Sequence, residues 1–306
     1  MTTSTDARTL EYGIAPPGYR LPNATRIGRV VLQVAELERS LAYYETVVGL
    51  RVIEREGERA VLGAHGDDWP LVELRALSGA RPVPRRGRLG LYHFAILLPE
   101  RAALGRFLAH LEAIGAYAGM SDHFVSEAIY LTDPDGLGIE VYADRPRAAW
   151  THQDRQLTMT TIPLDEESLL RAAKESPAGL RWTGIPAGTV IGHVHLYVSD
   201  LERAARFYHA GLGFDKTVWN YPGALFLSAG GYHHHLGTNT WAAGAKPATE
   251  NDARLLEWEI LVPTEADGRG AIESLAQTGA TVEKGEDGGT SVDPWGTPLR
   301  VRAMKA

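Results

Sequence analysis

The chain of 306 residues contains no cysteine. Disulfides and thiolate metal sites are excluded, so any metal must be held by histidine and carboxylate. No apolar run approaches the roughly 18 residues of a membrane-spanning helix, and no membrane partner is expected. The opening stretch MTTSTDARTLEYG has neither the basic start nor the apolar core of a secretory signal, and a cytoplasmic location is the expectation. A basic excess is also missing. With 31 Lys and Arg against 38 Asp and Glu, the net charge is −7 and the cations are scattered, so a broad nucleic-acid-binding face is not expected. The 44% apolar and 23% charged content is ordinary for a globular protein, and the length suffices for two domains of usual size.

Residues 1–25 are polar, interrupted by Pro16, Pro17 and Pro22, and read as an N-terminal arm. IGRVVLQV then predicts a strand. AELERSLAYYETVVGL, with Leu37, Leu41, Tyr44 and Val48 at helical spacing, predicts a helix ending near Gly49. The same words return as IGHVHLYV and SDLERAARFYHAGLGF. Aligning Arg29 with His193 aligns Leu37-Glu38-Arg39 with Leu201-Glu202-Arg203, Tyr44 with Tyr208 and Gly49 with Gly213, without a gap. This is an internal repeat. LYHFAILLP and LLEWEILVP form a second related pair, each followed by a helical stretch and an Asp-Pro turn, DPDG and DPWG. Arg29 precedes His93 by 64 positions, and His193 precedes Glu257 by the same 64. The prediction is an α+β fold of four βαβββ modules, forming two curved mixed sheets with helices outside. Modules one and two occupy 26–144, a connector with a short helix in DEESLLRAAKE occupies 145–190, and modules three and four occupy 191–303.

The opening strands alternate polar and apolar residues. His193, His195 and Tyr197 share one face, as do Glu257 and Glu259, His93 and Ala95, and Arg29 and Gln33. The apolar face should pack on the module's own helix. The polar face should look into a cavity, because an unpartnered buried charge is costly. In the second module, His93 and the later His123, Tyr130 and Glu140 bear on one small sheet. DPDG turns the chain so that Glu140 lies beside the strand of Tyr130. This grouping suggests a metal site, but one His and one Glu are two ligands, and the remainder must come from elsewhere.

At this point the sequence resembles the vicinal oxygen chelate superfamily, which includes glyoxalase I, bleomycin-resistance proteins and extradiol ring-cleaving dioxygenases. The stretches GLYHFAILLP, SDHFVSEAIYLTDPDG, IEVYADRPR, IGHVHL and GGYHHHLGTNTW are similar to those of bacterial catechol-2,3-dioxygenases, and the likeness covers roughly residues 26–303. It implies a metal held by His93, Glu140 and His193, with His233 as acid-base residue and His123 and Tyr130 acting on the substrate. It further implies Fe(II), with Mn or another divalent metal as the alternative, and a small aromatic diol and O₂ as reactants. Two His and one carboxylate form the facial set suited to non-haem iron.

The order of these groups departs from the family's, since module four has Glu257 and Arg300 where ligands belong and module one has Arg29. Modules two and three are therefore expected to pair around the metal, and modules one and four around a degenerate copy in which Arg29, Glu257 and Arg300 neutralise one another. If the inner pairing fails, the metal falls to His193, His235 and Glu257. His235 is expected to share a face with His233 and to line the pocket or compete for metal, His234 to point away from the site, and His195 to support the ligands from behind or line the pocket wall. His65, His110, His152 and His209 read as structural, and Asp133, Asp135 and Gly136 as turn residues. Trp219, Tyr221 and Trp241 are candidates for the pocket wall. Exposed sheet edges favour a homo-oligomer. Two other functions fit the superfamily: a glyoxalase-like divalent-metal isomerase or lyase, for which a Glu-rich ligand set would be expected, and a metal-free binding protein of the bleomycin-resistance type.

Overall fold

The computed structural model describes residues 12–304; residues 1–11 of the expected arm lie outside the described residues. The four modules are present in chain order. The first comprises β1 (Arg26–Val34), α1 (Leu37–Tyr43, widening into a π-helical turn over Tyr44–Val48), β2 (Arg51–Glu56), β3 (Arg59–Gly63) and β4 (Pro70–Ala76). The second comprises β5 (Gly90–Leu97), α2 (Arg101–Ile114), β6 (Gly119–Asp122), β7 (Ser126–Thr132) and β8 (Gly138–Asp144). The connector holds a hairpin of β9 (His152–Gln153) and β10 (Gln156–Leu157), then α3 (Glu166–Glu175). The third module comprises β11 (Val190–Tyr197), α4 (Leu201–Ala204, widening over Ala205–Gly211), β12 (Asp215–Val218), β13 (Ala224–Ser228) and β14 (Leu236–Asn239). The fourth comprises β15 (Arg254–Val262), α5 (Glu265–Gln277), β16 (Val282–Lys284), β17 (Gly288–Val292) and β18 (Pro298–Ala303).

The inner and outer pairing holds. One eight-stranded sheet runs β12-β13-β14-β11-β5-β8-β7-β6, joining modules three and two, and the other runs β16-β17-β18-β15-β1-β4-β3-β2, joining four and one. The sheets thus cut across the division at the connector, since each half of the chain gives one module to each sheet. The first strand of every module pairs antiparallel with its counterpart and parallel with the last strand of its own module.

Strand alternation separates the two faces. Phe94 and Ile96 of β5, with Val194 and Leu196 of β11, belong to the large apolar core. That core also takes in Val30 and Trp258 of the outer sheet and Leu41, Phe107, Leu169 and Ile272 from the helices. Ala95, Ala128 and Tyr142 alternate to the other side and form a separate cluster. Within α2, Leu104, Phe107, Leu108 and Leu111 recur at i, i+3, i+4 and i+7, and Gly115 ends the helix at φ 66°. Asp165 caps α3, and Thr264 with Asp267 forms a capping box on α5. The connector helix lies against α2, where a Cβ on Gly105 would come 2.4 Å from the Leu169 carbonyl oxygen.

The Asp-Pro turns tie consecutive modules together. Asp133 Oδ1 accepts from the N–H groups of Asp135 and Leu137, and its Oδ2 accepts from Tyr44 of module one. Asp293 repeats this with Trp295, Thr297 and Tyr208. These aspartates are turn residues, as expected. The described part of the arm lies along module three, with Arg20 bonded twice to Asp215 at 2.8 Å and Leu21 buried. No described helix is long and apolar enough to cross a membrane.

Candidate metal centre

The register of the inner sheet assembles the site. Antiparallel β5 and β11 set His193 opposite Ala95 and His195 opposite His93. Parallel β5 and β8 set Ala95 beside Glu140, and β7 sets Tyr130 beside Glu140. Because laterally paired residues share a face, a row of Tyr130, Glu140, Ala95 and His193 crosses four strands. The short side chain of Ala95 leaves its neighbours room to converge. Glycines keep the adjoining positions clear: a Cβ on Gly237 would lie 2.8 Å from the His195 ring, and one on Gly138 2.0 Å from the Tyr92 carbonyl oxygen.

His93, Glu140 and His193 are all buried, and they form the cluster among the described residues whose atoms could hold a metal ion. His93 Nε2 lies 3.0 Å from Glu140 Oε2, His193 Nε2 lies 3.3 Å from the same oxygen, and the two Nε2 atoms are 3.3 Å apart. Three ligand atoms about 2.0–2.2 Å from a shared ion and roughly at right angles have about this separation. Burial lowers the His193 pKa to about 4 despite the pull of Glu140, so the ring is neutral at neutral pH. Burial alone would raise the Glu140 carboxyl, but His193 and His93 outweigh it and hold the group well below the usual range. Ring lone pair and carboxylate oxygen thus converge on one point, which a cation satisfies. The donor set fits a divalent metal.

A cavity of about 650 Å³ opens onto this cluster, lined among others by His93, His123, Tyr130, Glu140, His195 and His234. Beside Glu140, Tyr130 Oη lies 2.6 Å from His123 Nε2, and His123 Nδ1 lies 2.6 Å from the Thr160 carbonyl oxygen. The carbonyl requires a proton on Nδ1, so Nε2 accepts from the tyrosine. Burial, reinforced by the charge of Glu140, raises the Tyr130 pKa well above 10 and keeps the hydroxyl protonated. His195 also lines the cavity, its Nε2 accepting from Asn239 at 3.0 Å. Tyr221 and Trp241 contribute to the wall. Trp219 does not line this cavity, and its backbone N–H binds Gln156 instead.

The His233–His235 run differs from expectation. The strand begins only at Leu236, after Gly230 and Gly231 at φ 63° and 66°, so period-two alternation does not govern these three residues. His234 faces the cavity, its ring 4.0 Å from that of His193. His233 is fully buried outside the cavity lining, with Nε2 2.9 Å from Asp144 Oδ1 and Nδ1 2.7 Å from His234 Nδ1. Asp144 requires a proton on His233 Nε2. The facing Nδ1 atoms of His233 and His234 share one proton. Burial, aided by the neighbouring histidines, holds the His234 pKa well below 6.5. Asp144 went unassigned in the sequence, although it follows Glu140 and Tyr142 at strand period two. His235 bonds to Ser228 and the Ala229 N–H, away from the cavity. Glu257 lies in the other sheet on Arg300. The fallback set of His193, His235 and Glu257 is therefore not assembled.

The family model of the Glyoxalase/Bleomycin resistance protein/Dioxygenase superfamily matches residues 26–141 and 190–292. A Bacillus subtilis protein named catechol-2,3-dioxygenase is 44% identical over 275 residues, covering 88% of this chain and 94% of the relative. The chain belongs to this superfamily. Among solved structures, glyoxalase I from Zea mays superposes with a TM-score of 0.54 at 16% identity, over 92% of each chain. A Bacillus subtilis protein described as a candidate dioxygenase gives 0.60 at 13% identity, over 94% of this chain and 86% of that one. Both likenesses concern the fold.

The outer sheet of this superfamily member carries the degenerate copy. At its centre Glu73, fully buried, accepts from Arg29, Arg59 and Arg75 at 2.6, 3.0 and 2.7 Å. Glu259 takes Arg29 at 3.1 Å and Arg302 at 3.0 Å. Glu257 pairs with Arg300 alone, at 2.9 Å. The expected trio therefore separates. Arg29 is neutralised by Glu73 and Glu259 because these two project where it points, while Glu257 and Arg300 satisfy each other nearer the surface.

Proposed function

We propose that the protein is an extradiol ring-cleaving dioxygenase that inserts O₂ into a catechol-like diol with Fe(II) held by His93, Glu140 and His193. The observation that carries this reading is the convergence of two histidine nitrogens and one carboxylate oxygen beside a cavity that also holds protonated Tyr130 and neutral His234. The name of the 44% identical relative supports it. A single carboxylate among three donors argues against the Glu-rich set expected of a metal isomerase. An elaborated set of buried donors argues against a metal-free binding cleft.

Bound iron would supply electron exchange with both O₂ and the diol, whose direct reaction is spin-forbidden. The protein's own residues do the rest. His234 Nε2 is placed to take and return a proton, with the ring fixed through His233 to Asp144. Tyr130 Oη holds its proton against His123 and offers the cavity a polar edge beside Glu140. Tyr92, Phe226 and Trp241 supply the apolar wall against which a flat ring packs.

The test is anaerobic loading with Fe(II), addition of catechol, then admission of air. Stoichiometric oxygen uptake with a yellow ring-cleaved product is expected. Metal binding without oxygen uptake by any diol would overturn the reading in favour of non-redox metal chemistry.

A further inference from the structure

Four arginines fall within eight residues before β5, in the stretch Arg81–Arg88. Two have an acidic partner: Arg81 and Arg88 both pair with Asp252, at 2.8 and 3.0 Å. The other two, Arg85 and Arg86, line the cavity, and among the described residues no carboxylate lies within ion-pair distance of either. In a chain of net charge −7, a pair of adjacent cations without a carboxylate on a cavity wall is an arrangement that a ligand anion completes.

The backbone holds them there. Gly87 N–H donates to the Pro84 carbonyl at 2.8 Å, closing a turn over Pro84–Gly87. Arg86 occupies its third position at φ 60°, in the left-handed region where glycine is favoured. A long side chain kept in that conformation costs about 1 kcal/mol or more. The loop is fastened on both sides, by Val83 N–H to the Asp135 carbonyl at 2.8 Å and by Leu89 N–H to Lys246 at 2.9 Å. Gly136 accepts the first of these crossings, since a Cβ there would lie 2.0 Å from the Val83 carbonyl oxygen.

The two guanidiniums also adjoin the aromatic wall. Burial raises the pKa of the Tyr92 and Tyr197 hydroxyls, with Arg85 and Arg86 pulling in the other direction. The Tyr92 ring centroid is 4.7 Å from that of His93 and 4.8 Å from that of Tyr197. Tyr92 therefore neighbours both the metal cluster and the arginines.

We propose that Arg85 and Arg86 form an anion subsite, so that the diol processed here carries a carboxylate on a side chain of its ring. This rests on the dioxygenase reading of the metal cluster and adds the chemical class of the substrate. The two ends of the molecule are recognised separately, the diol at the metal cluster and the carboxylate at the arginines lining the same cavity.

The test compares 3,4-dihydroxyphenylpropionate with its primary amide, which matches it in shape and lacks the charge. Binding to the Fe(II)-loaded protein is measured by anaerobic calorimetry, before air is admitted to follow ring cleavage. The acid should bind about tenfold or more tightly than the amide, the scale of one charge-assisted contact. Raised salt should narrow that gap, and R85Q/R86Q, with an unchanged near-ultraviolet spectrum, should bind acid and amide equally. Equal affinities in the wild type, or a preference that survives R85Q/R86Q, would overturn the subsite whether or not the ring is cleaved. A preference for the acid without oxygen uptake from it or from any other diol would overturn the dioxygenase reading and leave the subsite standing. Failure to bind either compound, with oxygen uptake from catechol retained, would overturn the subsite alone.

Discussion

His93 and His193 stand one hundred residues apart in the chain, and their Nε2 atoms stand 3.3 Å apart in the fold. The link between them is Ala95, which pairs directly with His193 across β5 and β11 and lies beside Glu140 across β5 and β8. Neither half of the chain owns the candidate metal centre.

His93→Ala, Glu140→Ala and His193→Ala should each abolish stoichiometric metal binding, measured by elemental analysis after Fe(II) or Mn(II) loading and gel filtration. Folding should survive, since in each variant the two remaining groups still face one another within 3.3 Å. Full metal content in any one variant removes that residue from the ligand set.

His234→Ala should keep its metal and lose turnover by about 10²–10⁴-fold, the range for a missing acid-base group. His233→Ala should lose less, because it acts through His234, and His233→Asn should recover part of the loss by restoring a partner for Asp144. A larger loss on removing His233 than on removing His234 would return the proton-transfer role to His233.

Glu73 is the shared acceptor of three arginines. Its replacement by Gln leaves the cations crowded around a neutral amide. Destabilisation of about 1–3 kcal/mol is expected, since the arginines are partly exposed and Arg29 and Arg59 keep Glu259 and Glu54, read from urea denaturation, with the metal content of the folded protein unchanged. A cost under about 1 kcal/mol would mean that solvent already screens the arginines.

Burial pushes the Asp133 carboxyl up to about 7, against the pull of the Leu137 and Asp135 N–H groups. An unfolded aspartate ionises near about 3.9. Between these values the folded state keeps a proton that the unfolded state has released, so stability falls as pH rises from about 4 to 7 and then levels. From pH 5 to pH 8 the wild type should lose about 2–3 kcal/mol more than Asp133→Asn, which cannot titrate. Parallel pH profiles would show that Asp133 is ionised in the folded protein throughout.

The four modules and their pairing were legible because the repeat is gapless at its strongest stretch and the ligands add up only when modules two and three meet. His93, Glu140 and His193 sit where strand alternation places them. The orientation of His234 was not legible: the run HHH looks like a strand, but Gly230 and Gly231 turn the backbone and β14 starts after it. The partners of Arg29 were half visible. Glu259 alternates with Glu257 in β15, whereas Glu73 reaches Arg29 from β4, and no local pattern announces that approach. Arg85 and Arg86 sit in a loop between strands, where periodicity carries no information.

The exchange of modules between the sheets also sets an order of events during synthesis. When β5 and β8 leave the ribosome, His93 and Glu140 are in place, but the strand bearing His193 is still to be made. The outer sheet waits longer, because Arg29 on β1 meets Glu259 across 230 residues. A two-ligand half-site would hold an ion weakly, so a metal taken up by this cluster would be captured late in biogenesis, and a truncated chain ending before β11 would emerge without it.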